Sequence, residues 1–174
     1  MHLKVKYLFG FLILISLRSI SQPCSEVKVH IDEFTKERIK EIDISLTKEF
    51  MMEEDVSINI KNSKDTYVAN VNVYVRFDYA IMVTTKSRFF FKLQNDSVIT
   101  IVPTEAVTGS IHTYENKTRS SFSANYSISK EQLNLLSTYE LVKFRLEHTR
   151  GKIEFKVNKN NAQKLKDAVG CLLK

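Results

Sequence analysis

The side chains most able to do acid–base or nucleophilic chemistry are few. Beyond His2, the histidines are His30, His112 and His148. None has a second histidine or a cysteine at metal-ligand spacing, and the sequence has no His-Glu-x-x-His, so no metal site is expected. His112 falls on the polar positions of a hairpin with Ser110, Tyr114 and Ser121, an imidazole beside hydroxyls. No acid is tied to it by spacing, so it reads as a solvent-facing strand residue and no catalytic residue is assigned. His148 alternates with Phe144 and Leu146, the pattern of a histidine at the core edge with a hydrogen-bond partner.

The other candidates are weaker. Arg76 and Asp78 share one face of a strand, where an exposed ion pair contributes less than about 1 kcal/mol. Twenty acids offer no spacing that singles out a glycosidase pair. Past the first 21 residues the glycines are Gly109, Gly151 and Gly170, with no cluster to cradle phosphate. That excludes nucleotide sites of the P-loop or Rossmann type, and no cofactor is expected. Cys24 and Cys171 lie at opposite ends, away from any pocket that would make a thiol a nucleophile. They form either a disulfide closing almost the whole domain or two separate thiols.

The elements that would hold these groups begin after a leader. Lys4 and Lys6 precede an apolar run from Tyr7 to Leu17, and Ser19-Ile20-Ser21 supplies a cleavage site. Residues 1–21 are therefore expected to be a signal peptide and 22–174 one α+β domain. The apolar run is shorter than the roughly 20 residues a bilayer span requires, so no transmembrane span is expected in the mature chain. Cys24 stands where a lipoprotein is acylated, but Pro23 occupies the place that needs a small residue. A formal charge of +6 loses Lys4, Lys6 and Arg18 with the leader, leaving +3. The remaining cations are interleaved with acids, unlike the basic patch of a nucleic-acid binder.

Two-residue alternation dominates the rest. From Thr66 to Thr84 every odd position is apolar, as in a long strand with one buried face. Turns at Asn95-Asp96, Asn116-Lys117 and Arg150-Gly151 each close a hairpin with matching faces. Leu93 then meets Val98, Ile111 meets Phe122, and Leu146 meets Phe155. Val27–Ile31, Ile42–Leu46 and Val56–Ile60 are further strands, and Lys36–Glu41 is read as a helical turn. Ser129 and Gln132 form a capping box for a short helix. A terminal helix opening at Asn160 or Asn161 carries the stripe Ala162, Leu165, Val169, Leu172. The expected architecture is a large curved antiparallel meander with the terminal helix on its concave face, the alternative being a β-sandwich or partial barrel.

Two outward surfaces follow. One bears Thr108, Ser110, His112, Ser121, Ser123, Asn125 and Ser127, which suits a polar ligand such as a glycan. On the other, Phe90, Ile99 and Ile101 are expected to project together as an apolar interface.

The leader, Asp32-Glu33-Phe34-Thr35-Lys36, and the closing run from Tyr126-Ser127-Ile128-Ser129 to Cys171-Leu172-Leu173 resemble uncharacterised exported proteins of Gram-negative, gut-dwelling bacteria. The resemblance implies a periplasmic, envelope or secreted location and transfers no functional residue. In a eukaryotic source, Asn95, Asn116 and Asn125 would stand in glycosylation sequons. The first functional expectation is a non-catalytic binding or interaction module, with a protein partner or a homodimer. The second is a carrier of a small apolar ligand between sheet and helix. A hydrolase ranks last.

Overall fold

The computed structural model describes residues 24–47 and 55–174; the leader expected at 1–21 lies outside the described residues. Strands β1 (Lys28–Ile31), β2 (Arg38–Ser45), β3 (Asp55–Ser63), β4 (Thr66–Val75), β9 (Ser110–Tyr114) and β10 (Lys117–Ser127) form one antiparallel sheet, in the order β1-β2-β3-β4-β10-β9. A second sheet, β12-β11-β6-β7, uses β6 (Phe89–Leu93), β7 (Val98–Ile101), β11 (Leu141–His148) and β12 (Gly151–Lys156). A short ribbon of β5 (Met82–Val83) and β8 (Val107–Thr108) accompanies them.

Alternation decides which face each sheet buries. Val56, Ile58 and Ile60 of β3, with Tyr67 to Val75 of β4 at every second position, enter the same core as Phe89, Phe91, Phe144 and Leu146 of the second sheet. The Phe89 and Tyr126 rings meet across the two sheets at 5.6 Å. Full burial of each such side chain contributes about 1.5–3 kcal/mol.

Helix α1 (Lys130–Thr138) opens on the expected capping box: Ser129 Oγ accepts from Gln132 N–H and Gln132 Oε1 accepts from Ser129 N–H. Helix α2 (Lys159–Leu172) buries Ala162, Leu165, Ala168, Val169 and Leu172. It packs against α1, β2 and β11, and so reaches from one sheet to the other. Cys24 and Cys171 are disulfide-bonded, with Cα atoms 5.7 Å apart. The α+β, antiparallel architecture is thus as expected, with its strands divided among two sheets and the short ribbon, and neither sheet closes into a barrel among the described residues. No helix among the described residues is long and apolar enough to cross a membrane.

Several local expectations are corrected. The long strand ends at Val75, where Phe77 N–H bonds back to the Val75 carbonyl (3.1 Å) and turns the chain out of the sheet. Residues 36–41 are not helical: Arg38 opens β2, and Asp32 Oδ1 organises the preceding turn by accepting from Phe34 and Thr35 N–H. Those bonds hold the exposed Asp32 carboxyl below the usual carboxylate range. The terminal helix starts earlier, capped by Asn158, whose Oδ1 accepts from Asn160 N–H.

The three hairpins close at other turns. Glu115-Asn116 and Thr149-Arg150 make two-residue loops, one residue earlier than expected, which changes partners but preserves faces. The third turn has three residues, Gln94–Asp96. Asp96 takes a left-handed φ of 65°, and Leu93 N–H reaches the Ser97 carbonyl at 2.9 Å. The extra residue slides the pairing by one, so Phe91 faces Ile99 and Phe89 faces Ile101. A slide of one residue inverts a strand.

Candidate functional site

That inversion removes two expected surface residues. Ile99 and Ile101 are each 2% exposed and belong to the core, while Val98 (54%) and Val102 (44%) take the outside. Of the expected apolar trio only Phe90 remains on the outer face, half-buried, with the Arg88 guanidinium 5.3 Å from its ring centroid. The interface expected around Phe90, Ile99 and Ile101 is therefore not formed.

The polar surface is larger than the hairpin that announced it. Pairing of β2, β3, β4 and β10 aligns side chains into rows across the outer face of the six-stranded sheet. One row reads Asp43, Asn59, Asn70, Asn125; the next reads Ser45, Ser57, Asn72, Ser123. A third, shifted one strand along, reads Asp55, Tyr74, Ser121, Ser110. Neighbours within a row are about 4.8 Å apart and successive rows about 7 Å, from strand geometry.

Some of these groups hold one another. Asn70 Nδ2 donates to Ser123 Oγ (3.0 Å) and Asn125 Oδ1 (2.9 Å), and Ser123 Oγ donates to Asn70 Oδ1 (3.2 Å). Asn59 Oδ1, between Asp43 and Asn70, is buried without a donor among the described residues. The Arg119 guanidinium lies 5.2 Å from the Tyr74 ring centroid, over the middle of the third row. Two shallow depressions, of about 450 and 390 Å³, meet at Asn72. The first contains Ser110 and Ser121, the second Asp43, Asn59 and Asn125.

His112 pairs with Arg119 in the ladder, and its Nε2 lies 2.9 Å from Ser121 Oγ across the diagonal. This brings together the imidazole and hydroxyl singled out in the sequence. Among the described residues no carboxylate bonds to the His112 ring, and the pair lies open on the sheet, so it lacks the group that would fix a general base. Ser110, Ser121 and His112 therefore lie together on the polar face.

His148 is buried at the core edge, its Nδ1 accepting from Arg150 N–H at 3.3 Å. The Phe77 and Tyr79 rings lie beside it, and burial lowers its pKa below the ordinary histidine value. The space between α2 and the sheets is occupied by Leu165, Val169 and Leu172, packed with Ile42, Ile44 and Leu46.

Asn59, Asp43 and Ser57 were not singled out in the sequence, although each occupies a polar position in an alternating strand. Comparison with protein-family models, with curated proteins and with solved structures returned no match.

Proposed function

We propose that the chain is an exported, non-catalytic binding module that takes a polyhydroxylated ligand, a glycan strand, on the outer face of its six-stranded sheet. The supporting observation is the alignment of amides and hydroxyls across four paired strands, with Asn72 at the junction of two depressions. Asparagine both donates and accepts, as sugar hydroxyls do, so a lattice of such groups meets a polyol without burying charge. Each good bond contributes about 0.5–1.5 kcal/mol net, which makes binding depend on several in register. Export is supported by the leader pattern and by the Cys24–Cys171 bond, which belongs to an oxidising compartment.

The test is affinity electrophoresis of the mature chain through gels containing a panel of neutral polysaccharides. Retardation by at least one of them is expected, with loss of retardation in the double variant Asn70→Leu, Asn72→Leu. A urea midpoint close to wild type would show that the fold survives. Absence of retardation across the panel, or retardation indifferent to the double variant, would overturn the assignment.

A further inference from the structure

We infer that the opposite outer face, on the four-stranded sheet, is a separate site for an acidic polysaccharide. Lys156 pairs with Lys143 and Lys143 with Lys92, so three ammonium groups stand side by side on β12, β11 and β6. Like charges directly opposite one another in a sheet oppose folding, and such a row has no packing value of its own.

The acids nearby do not cancel the row. Asp96 bonds Lys92 at 2.8 Å, Glu154 is shared between Arg145 and Lys143, and Glu147 is taken by Arg88. Lys156 and Lys152 have no carboxylate within ion-pair distance among the described residues. The outward positions of this face and its flanks therefore hold six cations, named above, against the three carboxylates Asp96, Glu147 and Glu154. The excess is three positive charges, on a domain whose charges are otherwise interleaved.

Phe90 identifies the occupant more closely. It sits in the row adjoining the lysines, between Arg145 and Thr100, and lines a depression of about 280 Å³ with Lys92, Lys143 and Arg145. An apolar ring set among cations suits a sugar that places its C–H face on Phe90 and its carboxylate on a lysine. A uronate polymer repeats that pair at every ring, and the lysines repeat at the strand spacing of about 4.8 Å. Both arginines near the ring are tied to glutamates, and the row's cation with no ion-paired carboxylate among the described residues is Lys156, a point charge and not the bidentate fork that selects phosphate.

The two sheets share one core, so this face looks away from the polar face and the two sites are independent. The probes are polygalacturonate, neutral dextran and inorganic polyphosphate, with binding measured by calorimetry at low salt and again at 0.5 M salt. Polygalacturonate should bind at low salt and lose at least tenfold in affinity at high salt, because exposed charges are screened within a few ångströms there. Replacing all three row lysines by glutamine should weaken it at least tenfold, Phe90→Ala should weaken it severalfold, and Asn70→Leu with Asn72→Leu should leave it unchanged. A urea midpoint for the lysine variant at or above wild type would separate lost binding from lost fold. Failure to bind polygalacturonate, or equal binding of polyphosphate with no effect of Phe90→Ala, would overturn the inference.

Discussion

Replacing both Cys24 and Cys171 by serine should cost the domain a large part of its stability. The two cysteines are 147 residues apart, so the bond closes a loop of almost the whole domain in the unfolded chain. The chain-entropy relation then gives about 5 kcal/mol at 25 °C. Part of this is offset in the folded state. Cys24 precedes β1, an edge strand whose four residues are all exposed, and Val27 N–H bonds only back to the Cys24 carbonyl (3.0 Å). Without the bond that segment frays, and the backbone freedom it recovers offsets about 1–2 kcal/mol. The expected net loss is about 3–4 kcal/mol. With a urea slope of about 2 kcal/mol per molar, the midpoint should fall by about 1.5–2 M. The assay is equilibrium urea unfolding of oxidised wild type beside the double variant, with intact mass confirming the two missing hydrogens. A midpoint shift below about 0.5 M with the bond verified would refute the reasoning, because the cross-link would then not be restricting the unfolded chain.

Tyr126→Phe should stabilise the domain by about 1 kcal/mol, because the Tyr126 hydroxyl is buried with no partner among the described residues and its removal relieves desolvation; a lower urea midpoint in the variant would contradict this. Stability should fall as pH drops through about 6.5, the unfolded histidine value, toward the depressed pKa of folded His148, because only the unfolded state takes the proton readily there. Comparing urea midpoints at pH 7.5 and 5.5 in wild type and His148→Phe checks it, and an unchanged slope in the variant counts against His148 as the source. Gly109→Ala should cost about 3 kcal/mol, at the top of the ordinary overpacking range. A methyl there would overlap the Ser121 carbonyl and meet Phe122 Cβ at 3.0 Å, and it would strain the 2.7 Å bond from Gly109 N–H to the Ile81 carbonyl. Thermal melting measures it, and a Tm within 1 °C of wild type would mean that the backbone yields there.

Alternation exposed the inner faces well, because a buried set such as Val56, Ile58, Ile60 and Val71, Val73, Val75 needs only period two to be seen. The capping box was equally local, since both partners lie within four residues. Register was less legible because several residues can take the same turn position. Asn95 and Asp96 suit a two-residue and a three-residue turn alike, and only the left-handed Asp96 decides between them. Glu115 adopts φ 47° without being a residue type that announces it, so the turn was read one residue late. Gly151, by contrast, uses its φ of 147° as the strand partner of His148 and not inside the loop. The polar face failed for another reason. Asn59 and Asn70 are joined by one hairpin, but Asn70 meets Asn125 only through a pairing 55 residues long, which no local pattern contains. The lysine row has the same origin: Lys92 and Lys143 are neighbours only once β6 and β11 have paired.

The three-residue turn at Gln94–Asp96 has a consequence for which side chains this surface shows. Closing the hairpin instead on Asn95-Asp96 as a two-residue loop would pair Gln94 with Ser97 and set Leu93 opposite Val98. Ile99 would then come out beside Lys92, and Ile101 beside Phe90, while Val98 and Thr100 turned inward. That change of turn, with no substitution anywhere, would lay two isoleucines beside the cations and put a valine and a threonine in their places in the core. At this edge of the molecule, surface chemistry is a matter of turn geometry as much as of residue type.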